Sequence, residues 1–334
     1  MEKTELELTG DTRTELKMSR IHWKKALLSL SKVAIKAVRN RDHKLLVSLI
    51  EDPDKKDLIN EKDEVGRTAL IEAAFLEDAG AIEILLKHPD INVNAVDNEC
   101  NSALMWAVIR QNEHIVEKLL WCHNIDGNQL NLNDTSPLMT AGEVQNVGIF
   151  TKLLFHPSTD VNFVSSKGQT ALRIVMRSDQ PHCLQRILHH PALDVNMKDR
   201  RGRTPLIQAV FDQNNTAVKA LLTHPNINMN AAEVGTGRTA LMIAAANNDP
   251  ELLHALLCHP KIDVNIRDMC GQTALIQAVV YGYRLIVWRL LEHPGTDVSI
   301  REEAGFSALD AALALGNVRM IFLLLHYRHF LSLP

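Results

Sequence analysis

A hydroxyl-bearing residue recurs along the chain at Thr68, Ser102, Ser136, Thr170, Thr204, Thr239, Thr273 and Ser307, with spacings of 34 residues everywhere except one of 35. Eight copies in register predict an array of similar units rather than one globular core. The clearest copy is the stretch from His259 to Ala278. There His-Pro ends a helix, because proline donates no backbone hydrogen bond and disfavours helical angles in the residue before it. Asp268-Met269-Cys270-Gly271 reads as a turn, and Thr273 stands where it caps a new helix carrying Leu275 and Ala278. The stops His88-Pro89, His156-Pro157, His190-Pro191, His224-Pro225, His259-Pro260 and His293-Pro294 each follow their cap by 20 residues, and Cys122-His123 replaces the pair in the second copy.

Each unit contains two amphipathic helices. Leu70, Ala73 and Ala74 fall at i, i+3 and i+4, and Ile82, Leu85 and Leu86 repeat that spacing after the polar turn from Glu77 to Gly80. The second set recurs as Val116/Leu119/Leu120, Phe150/Leu153/Leu154, Leu184/Ile187/Leu188, Val218/Leu221/Leu222, Leu253/Leu256/Leu257, Val287/Leu290/Leu291 and Ile321/Leu324/Leu325. Two helices of about ten residues leave an apolar face uncovered, so neighbouring units must stack.

These units resemble ankyrin repeats. The family pattern D-x-x-G-x-T-P-L-x-x-A-A…LL…N is matched by Asp199, Gly202, Thr204, Pro205, Leu206, Ala209, Leu221, Leu222 and Asn230, and the units beginning near Asp63 and Asp268 follow it closely. The resemblance covers roughly residues 60 to 330. The period is one residue longer than is usual in the family, where a glycine-containing helix end replaces LL-x-H-P-x-I-D-V-N. The resemblance implies an all-α ankyrin-repeat solenoid of helix-turn-helix units joined by short β-hairpin loops, with a concave face that binds other proteins. The expected layout is a flexible segment at 1–27, a degenerate capping repeat at 28–59 and an array of eight repeats at 60–334. In the capping repeat Ile35, Ala37 and Val38 start one helix and Leu45, Leu46, Leu49 and Ile50 another, with Asp52-Pro53 in place of His-Pro. Lys36, Arg39, Arg41, Asp42 and Lys44 supply the polar outer face that a terminal unit needs. Met320 to Leu333 is apolar for a cap, and either folds back over the last helix pair or forms a partner surface.

Composition narrows the function classes. The formal charge of -4 argues against a global basic field, so no nucleic-acid partner is expected. Five scattered cysteines without C-x-x-C pairs favour a reducing compartment, cytoplasmic or nuclear. The acidic N-terminal stretch lacks the pattern of a secretory signal, and no segment reaches the length of a membrane span.

The row of register histidines invites a metal reading. Adjacent helices lie about 8–10 Å apart, however, whereas zinc needs its nitrogens at about 2.0–2.1 Å. Histidines near helix ends are expected instead to meet free carbonyls and the negative end of the dipole, with a mild pH sensor as the alternative. Cys100, Cys122 and His123 form the one thiol and imidazole cluster, but no base held in reach or third orienting group marks a nucleophile. Neither a catalytic residue, a metal ligand nor a cofactor is expected. The hairpin asparagines Asn94, Asn128, Asn162, Asn196, Asn230 and Asn265 read as satisfying the hairpin backbone, and the family resemblance implies that such asparagines are open to hydroxylation.

The sharper signal is a basic cluster. Repeat five carries Lys198, Arg200, Arg201 and Arg203 around its turn, and neighbouring units add Lys167, Arg177, Arg238 and Arg267. Like charges on one face repel unless an acidic ligand relieves them. The cluster reads either as a solvated surface beside Asp199 and Asp212 or as a site for an acidic or phosphorylated ligand held by bidentate arginines. Phe75, Leu76, Ile109, Val144, Phe211, Val280, Tyr281 and Phe306 occupy groove positions, with Phe211 and Tyr281 the preferred anchors because Arg203 and Arg267 lie in their units. Arg20 to Lys44, with Trp23, reads as a capping helix or as a basic stretch for a membrane surface or calmodulin. The expected function is therefore that of a non-enzymatic, monomeric interaction module, a scaffold, adaptor or inhibitor holding a protein segment in its groove. The alternative is a receptor for an anionic small molecule such as a nucleotide, and an enzyme would need a triad or metal set that the repeats do not offer.

The repeats are unequal. Cys100 stands where the turn glycine belongs, Asn131 and Asp134 replace Asp and Gly, and Gly142 falls inside a first helix at about 1 kcal/mol against alanine. The array is expected to be weakest around residues 97 to 145, so these amides should exchange first in hydrogen-exchange measurements. Finding them the most protected would overturn that expectation.

Overall fold

The computed structural model describes residues 32–52, 58–178 and 180–330, with side chains as far as His326. The expected flexible segment at 1–27, Trp23, Pro53 and the final residues 331–334 lie outside the described residues. The chain divides into two compact units with a boundary at Thr140 and Ala141. The first holds the pairs α1 (Val33–Arg39) and α2 (His43–Glu51), α3 (Ala69–Phe75) and α4 (Ala79–Leu85), and α5 (Ala103–Ile109) and α6 (Glu113–Leu120). The boundary falls in α7 (Pro137–Glu143), and α8 (Val147–Leu154) lies in the second unit. That unit continues with α9 (Ala171–Arg177) and α10 (Pro181–Leu188), α11 (Pro205–Phe211) and α12 (Asn215–Leu222), and α13 (Ala240–Ala246) and α14 (Pro250–Leu257). It ends with α15 (Ala274–Val280) and α16 (Arg284–Glu292), and α17 (Ala308–Ala314) and α18 (Val318–Phe330).

The eight register hydroxyls all cap. Each accepts the backbone N–H three residues on, as in Thr68 from Ile71 at 3.3 Å, Ser102 from Met105 at 3.2 Å and Thr204 from Ile207 at 3.3 Å. Such a cap contributes about 1 kcal/mol by satisfying an orphan donor. After a first helix the backbone turns through one left-handed residue, such as Glu77 or Gln213, and an Asp or Asn side chain then caps the second helix in most units, whereas Gln180 and Tyr283 precede α10 and α16 without a side-chain cap. Within each unit first helices pack on first helices and second on second, as α3 does on α5, α4 on α6, α11 on α13 and α12 on α14. Leu70, Ala73, Ala74, Ile82 and Leu85 are buried accordingly, and burying each of the larger ones contributes roughly 1.5–3 kcal/mol. Leu86 is only half-buried, because it serves as the C-cap of α4 rather than its last turn. Among the described residues no β-strand forms, and the hairpin loops keep only isolated bridges such as Val96 to Ser102 and Ala232 to Thr239.

The asparagines differ from expectation. Asn94, Asn162, Asn196, Asn230 and Asn265 do not serve their own hairpin; they reach into the next repeat. Asn196 donates from Nδ2 to the Asn226 carbonyl at 2.7 Å and accepts at Oδ1 from the Asn228 N–H at 2.8 Å. Asn94 makes the same pair with Asn124 and Asp126, Asn162 with Ala192 and Asp194, Asn230 with Lys261 and Asp263, and Asn265 with Gly295 and Asp297. Asn60, overlooked in the sequence, does likewise with Asp90 and Asn92. The Asp or Asn two before Asn94, Asn162, Asn196, Asn230 and Asn265 satisfies the local backbone instead, as Asp194 accepts the Asn196 N–H at 2.9 Å.

The histidines also differ. Rather than donating to free carbonyls, each ring accepts at Nδ1 the N–H two residues on, closing the turn that the proline opens. The contacts run from 3.1 Å at His88 to 3.3 Å at His156 and His190, with His224, His259 and His293 at 3.2 Å. Only the neutral ring with its proton on Nε2 can do this.

At the chain ends, Lys36, Arg39, Arg41, Asp42 and Lys44 are exposed, as a capping unit requires. Arg39 also spans Asp63 and Glu72, each at 2.7 Å. The apolar C-terminal stretch does not fold back within the described residues. It forms α18, which leaves Val318, Phe322 and Leu325 exposed at 75%, 60% and 51%. No helix among the described residues is long and apolar enough to cross a membrane.

Cys100 and Asp134 occupy the turn position at φ 60° and 68°, in the left-handed region that the glycines fill elsewhere. At Gly66 an added Cβ would stand 2.7 Å from the Asn98 backbone nitrogen, so the close approach of the next hairpin also demands glycine. Left-handed backbone costs a side-chain-bearing residue roughly 1–2 kcal/mol. Cys100→Gly and Asp134→Gly should therefore each raise stability by about 1 kcal/mol in urea unfolding. A second expectation concerns His224, whose pKa is lowered by burial and then by the nearby His189 charge. A base with a depressed folded pKa contributes stability that is complete above its ordinary value near 6.5 and is lost as pH falls through the folded value. Unfolding free energy measured from about pH 7.5 to 5.5 should fall less steeply in His224→Asn, whose amide oxygen accepts the same N–H at every pH.

Candidate functional site

In the second unit the turn at Asp199 is set by its carboxylate. Oδ1 accepts the N–H groups of Arg201 at 2.9 Å and Arg203 at 2.8 Å, and Gly202 turns the backbone at φ 73°. The Arg201 carbonyl in turn accepts the Val234 N–H of the next repeat at 3.2 Å. Arginine side chains thus leave a rigid, doubly bonded turn.

A cavity of about 720 Å³ opens between the repeats of α9 and α11, and four of the expected residues, Lys167, Arg177, Arg200 and Arg201, line it. Arg200 lies across Gly168, where an added Cβ would stand 3.3 Å from its Cγ. Arg177, Arg200 and Arg201 are exposed, and none forms a direct ion pair among the described residues; Arg177 only acts at a distance on Glu143. Two carboxylates share the wall with them. Asp199 is held by its turn, and Asp212 accepts from Gln208 at 2.8 Å.

The remaining expected residues are placed otherwise. Arg203 turns away from the larger cavity, pairs with Glu233 at 3.0 Å and lies 4.2 Å over the Phe211 ring. It lines a second cavity of about 300 Å³ with Arg200 and Arg201. Phe211 is 51% exposed under that guanidinium. Lys198 is exposed but lines neither cavity. Arg238 is half-buried, and its Nε is buried without a partner. Arg267 donates back to the Gly271 carbonyl of its own turn at 3.0 Å, and Tyr281 stacks on Tyr283 at 5.6 Å rather than on Arg267.

Two arrangements escaped the sequence reading. In the first unit, Phe75 meets Trp106 edge-on at 4.9 Å, while Arg67 and Arg110 lie 3.8 Å and 4.3 Å over its ring. Trp106 donates to Asp97 at 2.8 Å, and Glu72 takes both Arg39 and Arg67. Phe75 is therefore already occupied as an anchor. In the second unit, Arg173 lies in the wall of the larger cavity with its side chain only 6% exposed. The signal for it was available, since the equivalent position is Ile71, Met105, Met139, Ile207, Met242 or Ile276 in six of the other seven register units, with Asp310 in the last.

The sequence model of a family described as "Ankyrin repeats (3 copies)" matches residues 34–134, 138–233, 175–268, 214–302 and 241–332. Among solved structures, the ankyrin repeat domain of Bcl-3, described as a unique member of the IkappaB protein family, is 24% identical with a TM-score of 0.62, over 68% of this chain and 99% of that one. The ankyrin repeat protein EF0377 is 24% identical with a TM-score of 0.51, over 57% and 96%. An ankyrin repeat domain from Acinetobacter baumannii AYE is 25% identical with a TM-score of 0.52, over 57% and 97%. These likenesses speak to the fold. No curated protein sequence matches the chain.

The expected arginines thus fall into two kinds. Arg203 is bound into the frame by Glu233 and Phe211, whereas Arg200 and Arg201 have no acidic partner. Arg203→Ala leaves Glu233 unpaired in a mostly buried position, and should cost about 2 kcal/mol in urea unfolding. Arg200→Ala and Arg201→Ala should each stay within about 0.5 kcal/mol of the parent chain.

Proposed function

Because the chain belongs to the ankyrin repeat family, whose members are typically non-enzymatic protein-interaction modules, we propose that it is a scaffold, adaptor or inhibitor that holds an acidic segment of a partner protein beside the turn at Asp199. The observation that carries this reading is the cavity edge formed by Arg177, Arg200 and Arg201, three exposed guanidinium groups without a direct ion pair among the described residues. Placing like charges together costs free energy that an acidic ligand returns on binding. Bidentate forks supply geometry as well as charge. The five cysteines, all free, suit a reducing compartment such as cytoplasm or nucleus. A cavity of about 720 Å³ also lies within the range of small-molecule sites, which keeps a second reading, a receptor for an anionic molecule such as a nucleotide.

Peptides selected on the intact chain from a random phage-displayed library test the first reading. The selected sequences should be rich in Asp and Glu, and the Arg200→Glu/Arg201→Glu chain should bind them at least about tenfold more weakly, with the difference shrinking as salt rises. Acid-poor peptides, or equal binding by both chains at low salt, would overturn the reading. Arg203 is unsuited to this test, because its reversal would set a glutamate against Glu233.

A further inference from the structure

Arg173 breaks an apolar pattern. Three residues past the cap, six of the other seven register helices carry Ile71, Met105, Met139, Ile207, Met242 and Ile276, all at most 2% exposed, and the last carries the half-buried Asp310, which closes a capping box with Ser307. Arg173 is equally interior at 5%, so a guanidinium stands where those six units place an apolar side chain. Burial pushes its pKa down, opposed by the Asp199 charge. A buried charge is costly unless pairing and hydrogen bonds compensate it. Here the compensation is partial. Nη2 donates to the Met197 carbonyl at 3.1 Å and the Arg203 carbonyl at 2.6 Å, but Nη1 stands 3.6 Å from Asp199, beyond hydrogen-bonding range. This group forms the buried wall of the cavity whose exposed edge is Arg177, Arg200 and Arg201.

We propose that the cavity is a binding site for a phosphate monoester carried on a side chain of the partner segment, with Arg177, Arg200 and Arg201 as its donors and Arg173 as a fixed charge in the wall behind them. The proposal rests on the acidic-segment reading and specifies its ligand. Five cationic side chains face two carboxylates in the lining, and both carboxylates already accept hydrogen bonds from the protein. A single carboxylate engages one fork and neutralises one charge. A phosphate monoester brings close to two charges and three acceptor oxygens, so it engages several forks at once. Arg173 also fixes the site before binding, because its two carbonyl contacts hold both flanks of the turn that presents Arg200 and Arg201.

The test passes oriented peptide pools with phosphoserine, serine or glutamate at a fixed central position over the immobilised full chain. Retention of the phosphoserine pool should exceed that of the glutamate pool by about tenfold, and inorganic phosphate should elute it. Arg173→Ile should lose this preference while unfolding at the same or higher urea concentration, since isoleucine is what the following repeat uses there at Ile207. Arg200→Glu/Arg201→Glu, which leaves the interior untouched, should lose it as well. Equal retention of the glutamate and phosphoserine pools would overturn the phosphate site and leave the acidic-segment reading standing, whereas retention of neither would overturn both. Unchanged preference in Arg173→Ile and in the double variant would also overturn the proposal, as would a mononucleotide that binds more tightly than the phosphoserine pool.

Discussion

A pair of short helices with one apolar face has no core of its own, and in this chain the contact that ties one pair to the next is polar as well as apolar. The asparagine that ends an I-D-V-N-type segment, such as Asn162 or Asn196, donates one amide N–H to and accepts one N–H from the backbone just past the next repeat's His-Pro. Two hydrogen bonds from one amide fix distance and rotation together, so a repeat cannot slide along its neighbour without losing both. The apolar contacts between helices are non-directional by comparison. Register therefore comes from the amide, and most of the cohesion from the buried Leu, Ile and Val rows.

The same logic extends to the hairpin turns. A carboxylate such as Asp199 takes two backbone N–H groups of its own turn, and the turn then offers a carbonyl to the next repeat. With both jobs done by backbone and a short acid, the side chains between them are free to vary. Repeat five uses that freedom for arginines. Arg203 returns to the frame through Glu233 and Phe211, and Arg200 and Arg201 are left facing a cavity. Arg173 joins them by taking an interior position at a cost that the frame does not require, since isoleucine or methionine serves there in other repeats.

Repetition separates structural from functional residues in a way that residue chemistry alone does not. The six register histidines look like a reactive row, yet each ring is consumed by an N–H two residues on. Phe75, an exposed-looking anchor in one dimension, is enclosed by Trp106, Arg67 and Arg110. Features common to all copies belong to the stack. The informative residues are those that break the pattern at a position where the pattern has a clear physical reason.

The array was legible in the sequence because its determinants are local. A cap bonds three residues away, a proline stops its own helix, and a 3.6-residue period declares a buried face, so the eight caps and the order of helices follow from neighbours along the chain. The family resemblance rested on the same local residues. Part of the site was legible too, since Lys167, Arg177, Arg200 and Arg201 are basic by inspection. What tertiary structure decided is which charges are already spent. Arg203 meets Glu233 30 residues away, Arg267 bends onto its own turn, and Arg173 reaches the Met197 and Arg203 carbonyls of the following repeat. Hydrogen bonding and burial at such separations depend on how one repeat sits on the next, and a side chain's charge is the same in the sequence whether or not a partner has neutralised it.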